Sequence, residues 1–185
     1  VKGVNNRLAI GDYVLTVENE AAPGGATPHL HQITTINPDK ASDITTITWE
    51  ESTGTTYDQT SRDVALYALR VKAGPFGNNA PAWNSLPAAL TSASPPGPYP
   101  NNWDDANNAA SKVPASNHIF LDATYDAIKG TPQSPGWAVL IADGNSSIFH
   151  VVDARPVSKA DYTISAKVTR LTLGPNESVP ANTFP

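Results

Sequence analysis

One outline occurs twice in this chain, and it constrains the fold more than any other feature. Gly11-Asp12-Tyr13-Val14-Leu15 opens one copy and Gly136-Trp137-Ala138-Val139-Leu140 the other. Each opening is followed by a second β-type run, Leu30 to Ile36 or Ile148 to Val152. A polar connector holding Lys-Ala-Ser-Asp or Lys-Ala-Asp comes next, then a Thr-rich run, Thr45 to Trp49 or Thr163 to Leu173. Runs rich in β-branched residues and bounded by Gly, Pro, Asn or Asp read as strands and turns, and helical periodicity is weak throughout. The pattern predicts an all-β chain: two similar small barrel- or sandwich-like β units, each three-stranded, with a long Pro/Asn-rich insert between them.

The boundaries follow from composition. Val64 to Val71 is apolar up to Arg70 and stops before Gly74-Pro75, which favours a buried strand ending a first unit at 1–73. Residues 74–117 hold Pro75, Pro81, Pro87, Pro95, Pro96, Pro98, Pro100 and Pro114 with three Asn-Asn pairs. Prolines at that density remove ladder hydrogen bonds and break helices, so an extended excursion is expected, with short helical turns near Ser85 to Leu90 and Asp104 to Lys112. Its aromatic residues Phe76, Trp83, Tyr99 and Trp103 favour an ordered insert over a solvated linker. A second unit covers 118–185, and the three parts are short enough to close up as one compact domain. On its opening strand, Trp137 and Val139 should share one face and Ala138 and Leu140 the other.

Charge and composition exclude several classes. Twelve Lys and Arg against 17 Asp and Glu give a net charge of −5, too little basic density for a nucleic-acid partner or an anionic membrane. No run approaches the roughly 18 to 20 apolar residues of a spanning helix, and the first residues lack the apolar core of a signal peptide. With no Cys there is no disulfide, thiolate nucleophile or Cys-based zinc site. The absence of Met, position 1 included, reads as an internal fragment of a longer protein.

Chemical motifs are sparse. Pro28-His29-Leu30-His31 puts two imidazoles on one strand face, but no third ligand is nearby, and a surface His pair is the commoner arrangement. Glu50-Glu51 and Asp104-Asp105 are sequence neighbours whose side chains diverge on a strand, which does not suit acid/base catalysis. The oxygen-rich Asn101 to Asn108 segment lacks the spacing of a calcium loop and is accounted for by a solvated turn or helix cap. No Gly-x-Ser-x-Gly elbow or phosphate-binding Gly loop occurs. The two Asn-x-Ser sequons, at Asn145 and Asn176, are frequent by chance. No catalytic residue, metal or cofactor is expected.

Asn6-Arg7-Leu8 with Ile10-Gly11-Asp12, Thr45 to Glu50, Tyr67-Ala68-Leu69-Arg70-Val71 running into Phe76-Gly77-Asn78-Asn79-Ala80-Pro81, Ile119 to Asp122, Gly136 to Leu140, and Ser158-Lys159-Ala160-Asp161-Tyr162 through Lys167-Val168-Thr169-Arg170-Leu171-Thr172-Leu173 form a set. It resembles the middle portion of the large baseplate assembly proteins of contractile phage tails and phage-tail-like extracellular injection systems. The resemblance covers nearly the whole chain. Its most specific parts are Phe-Gly-x-Asn-Ala-Pro and the Ala-Asp-Tyr…Lys-Val-Thr-Arg-Leu-Thr-Leu ending; the Gly- and Ala-rich stretch from Glu18 to Thr27 departs from it. It implies a non-enzymatic structural module of the particle's baseplate, made in the bacterial cytoplasm and partnered by other baseplate or tail subunits, the isolated fragment being monomeric. The expected contact residues are Arg70, Phe76, Trp83, Tyr99, Trp103, Lys167 and Arg170. Two other classes compete. A carbohydrate-binding or adhesin module would expose Trp83, Tyr99 and Trp103 as stacking platforms. A hydrolase would bring together two of Asp104, Asp105, Asp122 and Asp126.

Overall fold

Alternating β-branched residues here produce strands, as the sequence predicts, and no α-helix forms among the described residues. The computed structural model describes residues 1–4, 7–20, 27–50, 64–81, 85–87, 116–128, 130–131, 136–142 and 144–179. They form β1 (Tyr13–Glu18), β2 (Thr27–Asp39), β3 (Ile44–Trp49), β4 (Val64–Ala68), β5 (His118–Phe120), β6 (Gly136–Ala142), β7 (Asn145–Asp161) and β8 (Ile164–Leu173). The chain divides into two compact units, Val1–Lys72 and Ala73–Pro185, each holding one four-stranded sheet. Most of the Pro/Asn-rich insert, its two anticipated helical turns and most of the 18–27 stretch lie outside the described residues.

In the first unit the order is β3-β2-β1-β4, with every neighbouring pair antiparallel. β1 is a central strand and is buried on both faces, with Val14, Leu15 and Val17 fully enclosed and Thr16 nearly so. The β2–β3 connection is held by Asp39, whose carboxylate accepts the Ala41 N–H at 2.9 Å. Hydrogen bonds from the Ser42 side chain and the Ala41 backbone hold this carboxyl below its ordinary pKa. The outer edge of β3 is covered by the first residues of the chain: Thr45 N–H donates to Val1 O at 2.8 Å, Gly3 N–H to Asp43 O at 2.7 Å, and the Thr45 hydroxyl to Gly3 O at 2.6 Å. The start of that edge is thereby closed to another strand.

In the second unit the order is β5-β8-β7-β6. One face of the sheet carries the core, Ile119, Leu121, Phe149, Val151, Leu171, Leu173 and Val179, with Ala138 and Leu140 of β6 packed against it. Trp137 lies on the opposite face, as the alternation requires. β6 pairs with β7 only as far as Val151; β7 continues beside β8, which β5 flanks as far as Arg170, and from Pro156 onward β7 and β8 run on as a hairpin reaching Asp161↔Ile164. The Lys-Ala-Asp stretch expected to connect two strands is therefore the end of β7. Its charged side chains stand out from one face of a strand, where polarity does not signal a loop. The connection is the two residues Tyr162 and Thr163, both left-handed (φ 52° and 62°), the conformation that joins twisted strands most tightly.

Each unit has four strands, one more than the repeated three-run outline; in the first unit the extra strand is the one expected in Val64 to Val71, though Val64 and Leu66 are exposed and β4 is an edge strand, not a buried one. The three-stranded meander recurs (β1-β2-β3 and β6-β7-β8), each with a bulge in its middle strand, between Ile33 and Thr35 and between Val151 and Asp153. The fourth strand differs: β4 joins the first strand of its meander, whereas β5 joins the last of its own. The matched Gly-x-x-Val-Leu openings are also one residue out of step. Continuing the register Tyr13↔Gln32 puts Asp12 opposite Ile33, while Gly136 stands opposite the corresponding Val151. A shift of one residue exchanges the two faces of a strand.

Candidate interaction surface

The second unit brings together the two most distinctive motifs of the sequence. Residues 74–76 lie along the outer edge of β5, with Phe76 N–H donating to Phe120 O at 2.7 Å and Asp122 N–H to Gly74 O at 2.9 Å. The chain then turns at Gly77 (φ 94°), closed by Asn78 N–H to Pro75 O and Ala80 N–H to Gly77 O. Onto this turn packs Tyr162, from the tip of the β7–β8 hairpin. A Cβ placed on Gly77 would stand 2.8 Å from the tyrosine ring, and the Phe76 and Tyr162 ring centroids are 6.4 Å apart. Burial first, then the neighbouring Asp161 carboxylate, raise the Tyr162 phenol above its ordinary pKa.

The face of the β7–β8 hairpin opposite the core carries charged side chains around an apolar pair, Val157 and the fully buried Val168. Residues two apart on one strand share a face, so Asp153, Arg155, Lys159 and Asp161 project together, and the register sets Arg155 directly opposite Arg170 and Arg170 opposite Phe120. Lys159 Nζ lies 3.0 Å from Asp161 Oδ2 and 5.1 Å from the Phe120 ring centroid. One carboxylate oxygen serves both arginines: Asp153 Oδ2 is 3.1 Å from Arg155 Nε and 3.6 Å from Arg170 Nη2. Neither contact has hydrogen-bond geometry, and both Asp153 Oδ2 and Arg170 Nε are buried without a hydrogen-bond partner among the described residues.

Nearby, Glu177 fastens the chain after β8 to β7. Its carboxylate accepts the His150 backbone N–H at 2.8 Å and lies 2.7 Å from His150 Nδ1, while Trp137 covers the imidazole with its ring centroid 4.1 Å away. The remaining imidazole pair lies in the first unit. His29 and His31 share a face of β2, as predicted, but they are not a surface pair: His31 is 3 % exposed, stacked on Trp49 at 4.6 Å and 3.1 Å from the Thr16 hydroxyl. Packing accounts for its place. No group of three His, Asp or Glu side chains among the described residues is arranged to hold a metal ion.

Of the residues the sequence predicts for contact, Trp83, Tyr99 and Trp103 lie outside the described residues. Phe76 is half-buried against Tyr162 and serves the fold. Arg70 follows β4 rather than lying in it, and its guanidinium donates to Arg7 O at 2.5 Å. Lys167 and Arg170 do not project together: three residues apart on β8, they point to opposite faces. Arg170 belongs to the ionic face, whereas Lys167 is exposed on the other. Of the two carboxylates of the hydrolase reading that are described, Asp122 accepts a hydrogen bond from the Tyr125 hydroxyl at 2.7 Å and Asp126 is exposed. The residues of this face that the sequence does not single out for contact are Asp153, Arg155, Lys159 and Asp161. Their signal was a charge at every second position but one from Asp153 to Asp161, legible only once that stretch is taken as a strand.

No protein-family model matches the chain, and no match is found among curated proteins or solved structures.

Proposed function

We propose that this chain is a structural module of a baseplate protein from a contractile phage tail or a phage-tail-like injection system, and that it works by contacting neighbouring subunits in the assembled particle. The observation that carries this reading is the junction of Tyr162 with Gly77. The two elements that bear the resemblance most specifically are about 80 residues apart in sequence, and in the fold the ring of one fills the space left by the missing side chain of the other. The contact supports the reading by joining the two motifs into one structural element. The ionic face supports the same reading, since charged residues on a regular β surface set orientation and partner choice between subunits. In this role the module performs no reaction and, cut from its assembly, stays monomeric, because binding in such particles comes from large surfaces repeated by symmetry.

Mass spectrometry of sedimented tail-like particles from cells carrying the gene tests the proposal, together with inspection of the neighbouring genes for sheath, tube and spike. The chain is expected in the particle fraction at a fixed ratio to the tube protein. Its recovery only as a soluble protein, with no tail genes nearby, would overturn the assignment.

A further inference from the structure

The β7–β8 hairpin is a basic element on an acidic chain. From Asp153 to Thr172 it carries four cations, Arg155, Lys159, Lys167 and Arg170, against two carboxylates, Asp153 and Asp161, a formal +2; since the whole chain is −5, the remainder is −7. The arginines are the centre of this charge. Like charges directly opposite on a ladder repel, and Arg155 and Arg170 share a single carboxylate that gives neither a well-directed hydrogen bond. Among the described residues the cluster is one anion short.

The two arginines are not equally accessible. Arg170 is mostly enclosed, its side chain 20 % exposed, whereas that of Arg155 is 60 % exposed. Asp153 approaches Arg155 at Nε, along one side of the guanidinium plane. The end of the fork, formed by the two terminal amino groups, has no acceptor among the described residues. The free end of the guanidinium presents two parallel N–H donors at the spacing of a carboxylate's two oxygens, and the Asp153 ion pair at Nε leaves that end open.

We propose that Arg155, backed by the charge of Arg170, is a docking point for a carboxylate on an acidic segment of a neighbouring protein. The site takes an Asp or Glu side chain end-on, completes the charge balance of the pair and fixes the orientation of the hairpin on its partner. The proposal rests on the assembly reading in one respect, that the acidic group comes from another protein. Arg170 is a positioning residue here; Arg155 makes the contact.

Titration of the purified chain with a blocked Glu-Gly repeat peptide, its Gln-Gly counterpart and inorganic phosphate tests this, read by the NMR shift of the Arg155 Nε–H resonance. The Glu peptide should move that resonance with an affinity that falls as salt is raised, and the Gln peptide should not. Arg155→Gln should weaken binding about tenfold, Arg155→Lys should restore part of it because the charge returns without the fork, and Lys167→Gln, on the opposite face, should leave it within about twofold. Arg155→Gln alters an exposed side chain and should fold; a thermal melt on each variant verifies it. Equal response to the Glu and Gln peptides, an equal response to phosphate, or undiminished binding in Arg155→Gln would overturn the proposal. The two readings fail separately. Peptide binding by a chain that is absent from particles removes the baseplate assignment alone, and particles that assemble normally with Arg155→Gln remove the docking point alone.

Discussion

The ring of Tyr162 occupies the space in which a side chain at Gly77 would stand, 2.8 Å from the position of a Cβ. The contact ties the tip of the β7–β8 hairpin to the turn beside β5. Both partners hold backbone conformations that side chains disfavour, φ 94° at Gly77 and φ 52° at Tyr162.

Gly77→Ala therefore meets two obstacles, a ring that must move and a left-handed backbone. Gly144 separates them, because it too has a positive φ (77°) but nothing within 4 Å of its Cβ position. In urea unfolding, Gly144→Ala should cost about 1 kcal/mol from conformation alone, and Gly77→Ala about 2 to 3 kcal/mol. Equal losses at the two sites would mean that the Tyr162 contact contributes nothing.

Thr163 carries the opposite expectation. A β-branched residue at φ 62° is strained, and its side chain is exposed. Thr163→Gly should stabilise the second unit by about 1 kcal/mol, seen as a higher urea midpoint with an unchanged slope. A lower midpoint would show that the threonine side chain holds the turn.

Strand class and alternation were legible because they depend on short-range pattern: β-branched runs gave β1, β2, β3 and β8, and the two faces of β6 followed from Trp137 to Leu140. The ends of strands were not. Lys159-Ala160-Asp161 reads as a connector because charged residues are common in loops, and only the pairing of β7 with β8 shows that it is strand. Val64 to Val71 reads as a strand and supplies β4, but nothing local says which edge it joins; β5 escapes notice because it is three residues long. The ionic face depended on both errors, since Arg155 becomes the neighbour of Arg170 only when the long hairpin and its two-residue turn are known. Tyr162 and Gly77 were each singled out within a motif, but nothing local says that the two meet.

Glu177 offers a test of the ground on which the hairpin stands. It satisfies the His150 backbone N–H and also lies beside the ring, with its own side chain 26 % exposed. Glu177→Ala should cost about 1 to 2 kcal/mol, and Glu177→Gln should recover much of it because the amide oxygen can still accept the backbone N–H. Trp137→Ala, on the strand beside it, should cost about 2 kcal/mol, less than the roughly 3 to 5 of a fully enclosed aromatic, because Trp137 is half-buried. Chemical denaturation of the variants measures both. A Gln variant as weak as the Ala variant would mean that the charge on Glu177, rather than its acceptor, is what holds His150.

The first unit carries a sensitivity to acid, and its sign follows from where His31 sits. Burial chiefly, and the neighbouring His29 next, lower the His31 pKa below its ordinary value, so the folded state favours the neutral ring stacked on Trp49. The ionisable groups on the same face include His29 on β2 and, on or before β1, Asp12 and Glu18; Glu18 is itself buried, with Oε1 lacking a hydrogen-bond partner among the described residues. As pH falls through the unfolded value near 6.5, the unfolded chain takes up a proton that the folded chain resists, and stability declines until the lowered folded pKa is passed. One such group changes stability by at most about 1.4 kcal/mol per pH unit. Urea unfolding monitored by tryptophan fluorescence should show lower stability at about pH 5.5 than at about pH 7.5, and His31→Gln, which cannot take up the proton, should flatten that difference while lowering stability at the higher pH through the lost stacking on Trp49. A His31→Gln variant with the same pH dependence as the parent would place the acid sensitivity in another group and leave His31 as a packing residue alone.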